Sequence, residues 1–298
     1  MTKKNIWKNV IIIGGLLTVL AVATFSWFVF NGSGEVGTLD ANVVDAAFIK
    51  VSKDEGLTWD NNLELDLGTV VTLRETTGNG VDFYEPVYDG VDSIGGYVKS
   101  ANENVCYESQ FSFKTDANQN LYLTNESYII PADTNSNNKN FSEFGNYSKD
   151  YIAGAIRVGF FEVTAEGEYI PSFVWVPNTK IQFDRENNRI VEDGSVEDYY
   201  SYYADGEEPG FKKVMTNGQE SGVSDIFVWG SLEQNDVKPV LKFDKSTDEV
   251  SDDGNMVKKI AVRVWVEGTD RECARELYEG RFKMFFKFRT LRGGGNEE

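Results

Sequence analysis

The chain has 298 residues, with 29 Lys and Arg against 48 Asp and Glu for a formal net charge of −19, and it contains no histidine. So negative a chain is repelled by phosphate backbones and anionic lipid headgroups, which argues against nucleic acid as a partner. The missing imidazole excludes histidine-dependent serine and cysteine hydrolases, HExxH zinc proteases and histidine kinases.

The amino-terminal segment sets the expected compartment. Lys3, Lys4 and Lys8 precede an apolar run from Val10 to Phe30. A basic start followed by such a run reads as an export signal, and as a helix it would reach about 31 Å, enough to cross a bilayer. Ala21-Val22-Ala23 matches a small-x-small cleavage site that would release a chain beginning at Thr24. Cleavage by signal peptidase and retention as an anchor are both open. Either places the body outside the cytoplasm, because the positive charge precedes the segment while Glu35, Asp40 and Asp45 follow it. The expected organisation is therefore a signal peptide or membrane anchor over 1–30, a β-sandwich ectodomain over 31–292 and a flexible tail over 293–298.

Along the body, strand patterns alternate with polar turns. Candidate strands cover 43–51, 69–73, 105–113, 121–130, 152–163, 169–176, 226–229 and 237–243, flanked by turn signals such as Asn79-Gly80 and Asp89-Gly90. The segment 131–150, rich in Asn and Ser, is expected to be a long surface loop. Strict period-two alternation marks two further strands: Ile260, Val262, Val264 and Val266 share one face, as do Phe282, Met284, Phe286 and Phe288. Between them Thr269 and Glu272 form a candidate capping box with Gly280 as terminator, predicting one short helix. Many strands and one short helix predict an all-β fold, an antiparallel β-sandwich or jelly roll.

Candidate sites are few. Cys106 and Cys273 form an even pair that an oxidising compartment would join as a disulfide, which would stabilise by about 4–5 kcal/mol; two buried free thiols are the alternative. Asp244, Asp248, Asp252, Asp253 and Asn255 offer oxygen ligands without EF-hand spacing, so they read as a solvated loop. Calcium is the one cofactor this composition leaves open, and no other metal site or catalytic set is visible. Tyr199, Tyr200, Tyr202 and Tyr203 crowd together beside Asp198 and Asp205, a composition suited to stacking on sugars or to protein contacts, and equally to a buried sheet corner.

Ala23-Thr24-Phe25-Ser26-Trp27-Phe28, followed by Gly37-Thr38-Leu39, resembles the start of the TasA/camelysin group of exported Gram-positive proteins, whose signals are of the SipW type. Leu121-Tyr122-Leu123 with Ser127-Tyr128, Ala155-Ile156-Arg157-Val158 with Trp175-Val176-Pro177-Asn178, and the run from Val262 to Cys273 are similar to patterns in uncharacterised clostridial surface proteins with that signal. The resemblance implies a jelly-roll subunit of an extracellular fibre or biofilm matrix, whose amino-terminal strand completes the sheet of a neighbour. The metalloprotease activity described for the camelysin branch does not carry over to a chain without histidine.

Physical chemistry adds its own argument for assembly. In an extended tail beginning at Thr24, Phe25, Trp27 and Val29 point to one face and Phe28 and Phe30 to the other, and adding this tail to an open sheet edge would bury it. The expectation is an exported structural cell-surface protein, not an enzyme, that partners itself and other surface or matrix proteins. The alternative is a cell-surface adhesive or carbohydrate-binding module that uses the four tyrosines to hold glycans.

Overall fold

The described residues form eighteen strands and a 3-10 helix at Lys149–Ala155, and the order in which they occur along the chain differs from their order in the sheets. The structure, a computed structural model, describes residues 49–71, 73–90, 94–102, 105–132, 149–178, 181–184, 189–192, 199–203, 210–214, 228–229, 238–270, 272–273 and 277–292. The chain divides into two compact units, Met1–Ala46 and Ala47–Glu298, and every described residue belongs to the second. The signal or anchor segment, the proposed donor residues Phe25, Trp27, Phe28, Val29 and Phe30, and the tail 293–298 lie outside the described residues.

The first strands are β1 (Lys50–Ser52), β2 (Glu64–Val71), β3 (Glu75–Gly78), β4 (Phe83–Tyr88) and β5 (Ile94–Lys99). There follow β6 (Tyr107–Thr115), β7 (Gln119–Leu123), β8 (Tyr128–Pro131), the 3-10 helix Lys149–Ala155, β9 (Ile156–Val163) and β10 (Tyr169–Trp175). Two ribbons come next, β11 (Ile181–Asp184) with β12 (Arg189–Glu192) and β13 (Tyr199–Tyr203) with β14 (Gly210–Val214). The last strands are β15 (Val228–Trp229), β16 (Leu241–Phe243), β17 (Met256–Glu267) and β18 (Arg281–Arg292).

β17 and β18, the two stretches of strict alternation, are the spines of two different sheets. β17 pairs antiparallel with β9 along one edge and with β6 along the other, and beyond the end of β6 it pairs in parallel with β3. The first sheet runs β15-β10-β9-β17-β3-β4-β5, with β6 and β1 beside it. β18 pairs with β2 on one side and with β8 and then β7 on the other, and β16 extends that sheet beyond β7.

The sheets pack through the apolar faces that the alternation defines. Ile260, Val262 and Val264 of β17 and Phe282, Phe286 and Phe288 of β18 belong to one buried cluster. Aromatic rings bridge the layers: Phe160 of β9 meets Phe286 edge-on at 5.8 Å, and Phe113 of β6 meets Phe288 at 5.7 Å. The fold is thus β-rich and sandwich-like.

Two expectations need correction, and a third falls partly outside the described residues. The first sheet is mixed and not wholly antiparallel, since β3 runs parallel to β17 and β15 parallel to β10. Residues 271 and 274–276 of the helix expected between the last two strands lie outside the described residues, and Leu277 beside them is in 3-10 form; at its start Thr269 turns its hydroxyl back to Glu267 Oε1 at 2.9 Å, and it is Asp270 that receives the Glu272 N–H, at 3.0 Å. The stretch 121–130 is two strands, because Ser127 N–H closes a turn on the Thr124 carbonyl while both ends of that turn bond to Lys287 of β18.

The outer face of β17 is covered too, which the alternation alone does not announce. Trp265 lies there, 1% exposed, with Phe83 of β4 edge-on at 5.5 Å. The β3–β4 turn reaches over the same face, where the Gly80 carbonyl accepts from Arg263 Nη1 at 2.9 Å. The β3–β4–β5 unit therefore forms a flap over one face of the first sheet, joined to it by the two-residue parallel pairing with β17.

Candidate functional site

The four tyrosines singled out in the sequence lie on β13, in an antiparallel ribbon with β14 that pairs Tyr200 with Lys213 and Tyr202 with Phe211. Strand alternation places Tyr200 and Tyr202 at positions on one side of the ribbon and Tyr199 and Tyr203 on the other. The four positions consequently belong to two faces.

The two cysteines are free thiols, which corrects the expected disulfide. Cys106 packs against the cluster formed around Phe83 and Trp265, whereas Cys273 belongs to the main core, so the pair is divided between two apolar clusters. Burial pushes the Cys106 thiol up to about 11, against the nearby Arg263. Cys273 is also raised, first by burial and then by Glu75 and Asp270, and its thiol points to Glu75 Oε2 at 3.8 Å. Neither thiol is activated as a nucleophile.

Three of the four aspartates of 244–255 already hold partners in the turn or on β17. Asp244 Oδ1 accepts from the Ser246 N–H and hydroxyl, Asp253 Oδ1 accepts from the Ser251 hydroxyl at 2.6 Å, and Asp248 Oδ1 meets Lys258 at 3.0 Å. Among the described residues no group of three or more Cys, Asp and Glu is arranged to hold a metal ion. Nor is any described helix long and apolar enough to cross a membrane.

Two features stand out as candidates for function. The first is a sheet edge. Among the described residues β5 pairs only with β4, and Val87, Tyr88 and Val98 of this hairpin are 44%, 48% and 54% exposed. Val87 lies opposite Gly96 and Val98 opposite Glu85, so both valines lie on one face. β2, at the end of the other sheet, is guarded differently: it carries exposed Asp66, whose carboxylate accepts from the Gly68 N–H at 2.8 Å, and a register shift opposite Met284 and Phe285. β5 has its irregularity at Gly95, near its start, which leaves the stretch from Gly96 to Lys99 in regular pairing.

The second is a buried charge cluster where β17 ends. Arg157 of β9, Glu267 of β17, and Asp270 and Glu272 of the following connection are all buried. Arg157 Nη2 meets Asp270 Oδ2 at 2.5 Å. Glu267 accepts from Trp265 Nε1 at 3.2 Å and from the Thr269 N–H and hydroxyl. Complete burial pushes the Glu267 carboxyl above its ordinary range, against the pull of Arg157 and its hydrogen bonds. Burial also acts to raise Asp270, but Arg157 and the bonds from Glu272 outweigh it and hold Asp270 low. On the flap side, Glu75 accepts from the Tyr278 hydroxyl. The Tyr97 phenol of β5 is pushed up to about 12 by burial and then by Glu267 and Glu75.

Sequence reasoning missed this cluster. The signal was present in the parity of β17, which puts Glu267 on the same side as Trp265, and in the acids that follow within five residues. Comparison with protein-family models, with curated proteins and with solved structures finds no match.

Proposed function

We propose that the protein is an exported structural subunit of the cell surface, with jelly-roll character, that assembles by adding its amino-terminal strand to the sheet of a neighbour and works by association and not by turnover. The observation that carries this reading is the β5 edge, with the stretch from Gly96 to Lys99 in regular strand form and Val87 and Val98 exposed beside it. An edge of this kind is a template for a further strand, and an incoming apolar segment such as the one from Phe25 to Phe30 would cover the two valines as it paired along β5. The basic-apolar leader and the resemblance of the segment around Thr24 to the TasA/camelysin group support export.

Electron microscopy and sedimentation of two forms test the proposal, one beginning at Thr24 and one lacking residues 24–30. The first is expected to polymerise as concentration rises and the second to stay monomeric. A monodisperse monomer from the chain beginning at Thr24, at high concentration, overturns the reading.

A further inference from the structure

The parity of the β4–β5 ladder fixes what the edge of β5 offers to a further strand. Pro86 has no N–H and lies opposite Tyr97, while the Ser100 N–H donates to the Phe83 carbonyl at 2.8 Å, one step beyond the Tyr84–Lys99 pair. Hydrogen-bonded pairs alternate with non-bonded ones in an antiparallel ladder, so Gly96 and Val98 direct their backbone groups at β4, and Tyr97 and Lys99 direct theirs away from it. Tyr97 and Lys99 are therefore the positions that would hold an added strand.

The two faces of this edge differ. Gly96 and Val98 share one face with Val87, which lies opposite Gly96, and with Glu85, whose carboxylate accepts from the Ser100 hydroxyl. Beside the exposed valines Gly96 leaves a gap. A Cβ built there would meet no atom within 4 Å, and its φ lies outside the left-handed region, so nothing in the backbone requires glycine. At Gly95, by contrast, a Cβ would stand 2.8 Å from Asp89 Cβ. Glycine in regular strand form is costly and leaves its backbone uncovered, a defect that an aromatic side chain on the adjacent strand repairs by lying over it. The other face is polar at its rim, where the Lys99 ammonium meets Asp82 at 2.6 Å.

We propose that Gly96 sets the face and register of the incoming strand: Trp27 of a neighbouring copy lies over Gly96 beside Val87 and Val98, and Ser26, Phe28 and Phe30 turn to the side of Tyr97 and Lys99. This rests on the reading of the segment from Phe25 to Phe30 as a donor strand. The match is one of chemistry and size. Phe25, Trp27 and Val29 form the wholly apolar side of that segment, with the largest ring at its centre, whereas the other side includes Ser26. No charged side chain occurs from Thr24 to Phe30, so the valine face receives nothing that needs water. Residues 31–48, at up to about 3.3 Å each when extended, give the segment reach to a neighbour's edge.

Sedimentation of the chain beginning at Thr24, over a concentration series, gives the concentration at which polymer appears, and three variants of that chain test the register. Gly96→Val fills the gap and Trp27→Ala removes the ring; each is expected to raise that concentration by about tenfold or more, the scale of leaving one large ring unburied. Phe28→Ala, on the polar side, is expected to raise it by less than about threefold. The contrast between the two tail variants stands even if Gly96→Val folds poorly, because both leave the body of the protein unaltered. Equal effects of Trp27→Ala and Phe28→Ala, or polymerisation of Gly96→Val at the unaltered concentration, overturn the register and leave the donor-strand reading in place. A failure of the unaltered chain to polymerise at all overturns that reading, and the register with it.

Discussion

Gly80 shows how much a single position constrains the flap. Its φ is +84°, and a Cβ there would stand 2.6 Å from Phe161 Cζ and 3.3 Å from Trp265. Gly159, directly beneath, has the same neighbour: a Cβ on it would come within 2.4 Å of Phe161 Cε2. The turn rests on aromatic rings with no room for a methyl group. Gly80→Ala is expected to cost about 1–3 kcal/mol, through backbone strain and overpacking together. Gly90→Ala is the control, since that glycine has φ +106° but no atom within 4 Å of the added carbon, and it should cost less, about 1 kcal/mol. Urea unfolding of the two variants checks the difference. Asn79-Gly80 was legible as a turn from sequence, and Asn79 Oδ1 does accept the N–H groups of Val81 and Asp82. That the turn closes over Trp265 was not legible, because a tip-to-sheet contact leaves no periodic trace. The same limit hid the Arg157–Asp270 pair, whose members are 113 positions apart.

Among the elements, those fixed by alternation were read most accurately. β17 and β18 were expected from their period-two faces, and both became spines because a strand with twelve residues can hold several shorter partners end to end. The short strands β3, β4 and β5 escaped notice, since Thr76, Thr77 and Gly78 are buried by the flap geometry and not by any apolar pattern of their own. The cap of the expected helix moved for a related reason: Thr269 bonds to Glu267, and Asp270, held in the interior by Arg157, receives the Glu272 N–H instead. The two faces of β18 give a sharp energetic contrast. Phe286, 0% exposed, meets Phe160 and Trp175 across the sandwich, whereas Phe285 stacks on Tyr128 at 5.2 Å on the opposite face. Phe286→Ala is expected to lose about 3–5 kcal/mol. Phe285→Ala should lose about 1 kcal/mol, the scale of an aromatic pair. Chemical denaturation of both variants measures the ratio.

At the scale of the whole molecule, the free thiols remove one source of stability that the sequence had offered. A disulfide closing so long a loop would contribute about 4–5 kcal/mol, and the division of Cys106 and Cys273 between two apolar clusters leaves the sandwich without it. The unfolding midpoint is therefore expected to be the same with and without dithiothreitol, measured by circular dichroism, and a drop on reduction would show that the thiols pair. Alternation and turn signals had announced a β-rich body with a core of its own, and that much of the architecture was readable. The assignment of strands to sheets was not, because local pattern says which face is apolar but not which strand lies next to which. The late position of both spines also bears on how the protein is made. β2, β3, β6, β7, β8 and β9 all take their central partner from residues 256–292. While that stretch is still on the ribosome neither sheet has its middle, so both sheets are expected to close only at the end of synthesis.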